Sequence, residues 1–278
     1  AFDTSHNGNV TSFPFPGTAS DIFVTKLNAV GTTLDYSTFI GGEFSDSLRD
    51  LAIDDSGNAY VAGATPSSNF PTTSGAFDTS HNGGNDGFVA KLNAAGSSLD
   101  FSTFLGGTAT DEANAIVVDG SGSAYVGGET WSPEFSTTPD GFDTSQNGSV
   151  DGFLVKLNPT GSSLDYSTFL GASNQEFVFG VALDGLGNAY VAGRTGNNFP
   201  VTPGSFDTTF NGNGDAFALK LSGFPVPVLN SPPVAAFTVS SNPASEGETV
   251  SFDGSGSSDA EGSIVSYSWS FGDGSPLG

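Results

Sequence analysis

Apolar and polar positions alternate along Leu164–Leu170. Leu164, Tyr166, Thr168 and Leu170 share one face, and Asp165, Ser167 and Phe169 share the other. Period two is the mark of a strand with one covered face. A shorter, unbroken apolar run occupies Ala115–Val118, which suits a strand buried on both faces. A turn of Asp, Gly and Ser joins it to a second run, Ala124–Gly128. A further strand is predicted over Gly152–Leu157, inside DGFLVKLN. No stretch carries a sustained helical period.

These strands recur. Asn114–Thr130 reappears as Asp50–Thr65 and Gly180–Thr195, with turn aspartates Asp54, Asp119 and Asp184 spaced by 65 residues. DGFLVKLN reappears around Lys26, Lys91 and Lys220, and LDYSTFLGA appears as LDYSTFIGG (Leu34–Gly42) and LDFSTFLGG (Leu99–Gly107). One period therefore holds four strands in two hairpins, here called A (Ala115–Val118), B (Ala124–Gly128), C (Gly152–Leu157) and D (Leu164–Leu170). A fixed period of this length decides the architecture before any single residue is weighed. Four antiparallel strands per repeat, apolar first and more polar last, predict the blades of a β-propeller. A row of small sandwich domains would need more strands per repeat, and linkers between copies.

The chain supplies C and D, then A to D twice, then A to C, for 13 strands. Phe224–Leu229 offers a last outer strand, since proline is tolerated at an edge. The first blade lacks A and B, so the propeller is incomplete in this chain. Upstream repeats or a neighbouring chain are expected to complete it.

The blocks LDYSTFLGG, DGLGNAYVAGRT and DGFVAKLN closely resemble the bacterial β-propeller repeat known as SBBP, over residues 1–222. The resemblance implies a secreted or surface-exposed propeller, attached to other extracellular modules, and brings no catalytic residues with it. A Pro-rich linker follows at 223–232. Residues 233–278 resemble the first part of a PKD domain, an immunoglobulin-like sandwich of extracellular proteins. The carriers are Glu246–Phe252, the Asp253–Asp259 loop and Tyr267–Gly274. The later strands of that family are missing, so a truncated piece is expected. The chain has no Met, which also fits a piece processed from something longer.

Charge removes several function classes. Thirty acidic residues against six basic ones give a net charge of −24. Nucleic acid is therefore not expected as a partner, because phosphate binding needs a basic patch. No apolar run reaches the length of a membrane span. There is no Cys, and a chain of this size can bury a core without disulfides.

Candidate chemistry is sparse. His6 and His81 are the only histidines; they share one repeat position, where loop-surface placement is expected. No nucleophile, base and orienting group assemble, so the chain is not expected to be an enzyme. The turn aspartates are expected to cap their turns through backbone N–H groups. Asp46, Asp111 and Glu176 lie eight residues before them. In a propeller the D-to-A loops open near the axis, so these three are candidates for a carboxylate ring holding a hard cation such as Ca2+, against a loop-capping role. In the PKD-like part, Asp253, Asp259, Glu261 and Asp273 fall around loops and are weaker candidates. Asn9 and Asn147 head glycosylation sequons. Trp131, Phe70, Phe135 and Phe199 recur in the B-to-C connections, either packed against the blade or offered for sugar stacking. Lys26, Lys91 and Lys156 are expected to pair across the hairpin with Asp35, Asp100 and Asp165.

Together these readings predict a non-catalytic secreted or cell-surface protein with a structural or adhesive role, including service in an extracellular filament or matrix. Its expected partners are other extracellular proteins, copies of itself, or polysaccharide. The alternative is a carbohydrate-binding accessory region of a larger secreted enzyme.

Overall fold

The structure, a computed structural model, describes Thr4, residues 19–224, 234–240 and 245–258, and two isolated positions, 266 and 268. The chain divides into two compact units, Ala1–Val226 and Pro227–Gly278. All regular structure among the described residues is β.

The described residues of the first unit form four sheets. Strands β1 (Ile22–Leu27) and β2 (Leu34–Ile40) form the first. β3 (Ser47–Ile53), β4 (Ala59–Thr65), β5 (Asp86–Leu92) and β6 (Leu99–Leu105) form the second, in that order. β7 (Asp111–Val118), β8 (Ala124–Thr130), β9 (Asp151–Leu157) and β10 (Leu164–Leu170) repeat the pattern. β11 (Phe177–Leu183), β12 (Ala189–Thr195) and β13 (Asp215–Leu221) make a last sheet of three. These are blades 1 to 4 of an incomplete propeller, with the 13 strands that the repeats predict. Phe224 lies outside any strand, and 225–229 fall outside the described residues.

Each blade junction has its own core. Ile22, Val24 and Ile40 of blade 1 meet Val61, Phe88 and Leu92 of blade 2. Tyr60, Val89 and Phe101 of blade 2 meet Ile116, Phe153 and Leu157 of blade 3. Tyr125, Leu154 and Leu170 of blade 3 meet Val178, Val191 and Phe217 of blade 4. Residues that alternate along a strand thus serve two different cores.

This arrangement corrects the expectation for strand A. The strand buried on both faces is B: every residue of β4 and β8 is buried, whereas β3 is largely exposed. B and C lie in the middle of the sheet, between neighbouring blades. A is an edge strand, and β7 is the one A strand with another A strand on each side, β3 and β11. Apolar composition in A therefore reflects its neighbours along the stack.

Each A strand carries a bulge, at 48/50, 113/115 and 178/180. The glycine opposite it on strand B is obligatory. A Cβ on Gly63, Gly128 or Gly193 would stand 1.9 Å from the carbonyl oxygen of Ser47, Glu112 or Phe177.

Of the second unit, the described residues include two short antiparallel strands, β14 (Thr238–Val239) and β15 (Phe252–Asp253). Among the described residues, no helix is long and apolar enough to cross a membrane.

Candidate functional site

The three repeated carboxylates Asp46, Asp111 and Glu176 are buried, each within its own blade junction. Asp46 accepts from the Gly42 amide at 2.7 Å and from the Thr65 hydroxyl. Asp111 accepts from the Gly107 amide at 2.8 Å, the Ser132 hydroxyl at 2.9 Å and the Thr130 hydroxyl. Glu176 accepts from the Ala172 amide at 2.9 Å, and from the Thr195 hydroxyl and Gly196 amide at 3.2 Å. Each ties the D-to-A loop to the far end of strand B. The geometry is that of loop caps. Among the described residues, no group of three or more His, Cys, Asp or Glu stands together in a way that would hold a metal.

A second row of buried carboxylates faces the first. Asp86 and Asp151 open strand C and accept from the amides of Asn82 and Gly83, and of Asn147 and Gly148. Burial raises the pKa of Asp46, Asp86 and Asp111 above the ordinary carboxylate value. It pushes Asp151 up to about 6, with the charge of Glu176 adding to the effect. Hydrogen bonds to the charged form oppose this shift but do not cancel it.

The turn aspartates behave as expected and do one thing more. Asp54 Oδ1 accepts from the amides of Ser56 and Asn58, Asp119 Oδ1 from Ser121 and Ser123, and Asp184 Oδ1 from Leu186 and Asn188. Their second oxygens meet the strand-C lysines: Lys91 at 3.5 Å, Lys156 at 3.8 Å and Lys220 at 3.5 Å. Each of these lysines also sits over a strand-B tyrosine ring, Tyr60, Tyr125 or Tyr190. This corrects the cross-strand pairing. A bulge sets Lys91 opposite Phe101 and Lys156 opposite Tyr166, passing over Asp100 and Asp165. Lys91 keeps Asp100 as a looser second partner at 4.0 Å.

The remaining candidates fall into place one by one. Phe70, Phe135 and Phe199 lie on Phe88, Phe153 and Phe217 with ring centroids 4.4 to 4.6 Å apart, so they pack against the blade. Trp131 leans edge-on toward Phe177. His81 is half-buried: its ring meets Phe104 edge-on, and Nε2 is 3.2 Å from the Thr65 carbonyl. That ties it to the blade and corrects the loop-surface placement. Gln146, at the same repeat position, donates to the Thr130 carbonyl at 3.1 Å. Asn147 is exposed, but its side-chain amide donates to Asp143. Asp253 accepts from the Ser255 amide. His6, Asn9, Asp259, Glu261 and Asp273 lie outside the described residues.

One feature escaped the repeat reading. A groove of about 530 Å³ opens between the loops of blades 3 and 4. Amide side chains of Asn174, Gln175, Asn197 and Asn213 line it, with Arg194 and Phe210. The signal was present in the sequence: at these positions the third repeat departs from the other two.

Repeated four-stranded blades, stacked through alternate faces, define a β-propeller-repeat protein. Comparison with known families agrees. The beta-propeller repeat matches residues 35–71, 100–135 and 165–200, and the PKD domain matches 230–278. The chain thus contains three SBBP beta-propeller repeats, followed by a stretch that matches the PKD domain. No curated protein matches it.

Proposed function

We propose that the chain is a non-catalytic structural or adhesive component of an extracellular matrix, cell envelope or surface filament. Its partners are other extracellular proteins and copies of itself. A propeller followed by a PKD domain fits such a setting, and the acidic surface suits a solvated one.

The observation that carries the reading is a pair of unlike open faces. Blade 1 exposes Phe23, Leu27 and Leu34, at 67%, 55% and 57%. Blade 4 exposes Phe179 and Tyr190, at 60% and 42%. The residues equivalent to Phe23 in the later blades are Phe88, Phe153 and Phe217, and each is packed on the blade before it. The residues equivalent to Tyr190 are Tyr60 and Tyr125, and both are packed on the blade after them. The two open faces are thus complementary halves of one repeated interface. Such an interface is completed by a further repeat of the same protein or, as proposed here, by a second copy joined head to tail. Negative-stain electron microscopy of the full chain tests it: rows or rings of particles are expected, and uniformly single particles at all concentrations would refute it.

A second reading, a carbohydrate-binding region of a larger secreted enzyme, is favoured by the amide-lined groove of blade 4. A glycan array separates the two: clear saturable binding favours the second.

A further inference from the structure

The groove beside blade 4 exists because the third repeat abandons the bonds that close the same space in the other two. In blades 2 and 3 the hydroxyls of Ser67 and Ser132 accept from the amides of Phe44 and Ala109, at 2.9 and 3.0 Å. They draw the B-to-C loop onto the D-to-A loop. In blade 4 the serine is replaced by Asn197 and the alanine of blade 3 by Asn174. The loops are now joined through longer side chains: Asn174 donates to the Asn197 carbonyl at 3.3 Å, and Asn198 to the Ser173 hydroxyl at 3.2 Å. His81 and Gln146 bond the end of strand B in their blades, whereas Phe210 at that position has no polar atom to do so. Gly196 stands where blade 3 has Trp131, and a Cβ there would lie 2.5 Å from Asn174 Cβ. The backbone is unusual as well. Asn198 and Asn213 are the two non-glycine residues with left-handed φ among the described residues, at 72° and 62°.

The lining of the groove carries a cation and no acid, although the Glu176 carboxylate lies behind it, 3.2 Å from the Thr195 hydroxyl and the Gly196 amide. The chain has 30 acidic residues, yet none lines the groove. Arg194 lines it instead, where blades 2 and 3 carry Ala64 and Glu129. Its guanidinium is aimed by one bond to the Asn213 carbonyl, at 3.2 Å, and by the Phe177 ring, 6.0 Å away. That bond uses one of its five N–H groups. The ion pairs found among the described residues involve Arg49 and three lysines, not Arg194.

We infer that this groove binds a carboxylate-bearing sugar unit, of the uronic acid class, within an extracellular polysaccharide. The guanidinium fork matches a carboxylate in two parallel bonds. Side-chain amides supply paired donors and acceptors for vicinal hydroxyls, and Phe210 supplies a ring for the C–H face of a pyranose. The inference rests on the carbohydrate-binding reading and narrows it to one sugar chemistry.

The test is calorimetric titration of the full chain with a galacturonate tetrasaccharide and, separately, a neutral cellotetraose, each to about 10 mM. Salt near 0.15 M limits repulsion by the acidic surface to about 8 Å. The acidic sugar is expected to bind saturably and at least about tenfold tighter than the neutral one. Arg194→Gln is expected to remove that preference, and Arg49→Gln, on another blade, to leave it intact. Asn197→Ser restores the residue of the other repeats, so it folds, and it is expected to weaken binding about tenfold. Equal binding of the two sugars, or binding unchanged in Arg194→Gln, overturns the carboxylate assignment and leaves the carbohydrate reading standing. Binding of neither sugar overturns both.

Discussion

Tyr125 and Tyr190 occupy the same place in successive blades. Each has a lysine ammonium 5.1 Å above its ring and a turn aspartate beside that lysine. Tyr125 is 1% exposed and Tyr190 42%. Strand β8 is buried at all seven positions, while β12 alternates between buried and exposed. The local chemistry is the same in both blades, so the difference lies in cover: among the described residues, blade 3 has a blade on each side and blade 4 on one. Phe224 shields part of blade 4's junction with blade 3, meeting Tyr125 and Tyr166 edge-on. The comparison teaches that a repeat specifies two faces at once, and that the uncovered one is where function can differ.

The strongest way to break this comparison is to truncate both tyrosines. Tyr125→Ala is expected to destabilise the propeller by about 3–5 kcal/mol, the range for a fully buried aromatic. Tyr190→Ala is expected to cost about 1 kcal/mol in dilute solution. Urea unfolding followed by tyrosine and tryptophan fluorescence measures both, and equal losses would contradict the role given to cover.

A second test uses the position where blade 3 has Glu129 and blade 4 has Arg194. Glu129 is buried beside Glu112, and burial with that neighbouring charge pushes its pKa up to about 7 from 4.5. The folded protein therefore holds a proton that the unfolded chain releases. Stability is expected to fall as pH rises from about 4.5 to 7, by about 1–3 kcal/mol, and to level off above that. Asp151, raised to about 6, adds a fall of the same sign. Glu129→Gln is expected to flatten the larger part of the slope. A profile of melting temperature against pH in both proteins checks it.

A smaller effect sits at the blade 2 to blade 3 junction. The Tyr60 hydroxyl donates to the Gly122 carbonyl in the next blade, at 3.2 Å. Tyr60→Phe is expected to cost about 1 kcal/mol, and Tyr190→Phe less, since the exposed Tyr190 hydroxyl bonds within its own blade, to Asp184 and Lys220. Least of all is the half-exposed pair Arg49–Glu112, 2.5 Å apart across the same junction. Arg49→Ala is expected to cost about 0.2–1 kcal/mol, and the cost should shrink in high salt.

Much of this fold was legible because the repeat speaks three times. The order and number of strands follow from the recurrence of DYSTF, NAYVAG and GFVAKL, and the turn role of Asp54, Asp119 and Asp184 from their place before Gly-containing turns. Burial of strand B was not legible. AYVGGET reads as less apolar than AIVV, but its burial is set by neighbouring blades rather than by its own composition. The lysine partners were missed because a single bulged residue carries Asp100 and Asp165 out of register, which strand periodicity does not encode. Asp46, Asp111 and Glu176 looked alike as ring members or as loop caps, and only the distances to Thr65, Thr130 and Thr195 separate those roles. The groove was visible only by subtraction, as the positions where the third repeat stops resembling the others.

Sedimentation velocity across a concentration series tests the central claim most directly, since the open faces of blades 1 and 4 should find each other. The full chain is expected to sediment faster as concentration rises. Tyr190→Asp on one face, or Phe23→Asp on the other, should each return it to a single slow species with its fold intact. A wild-type protein that stays monomeric throughout, or one whose association ignores both substitutions, would contradict the account.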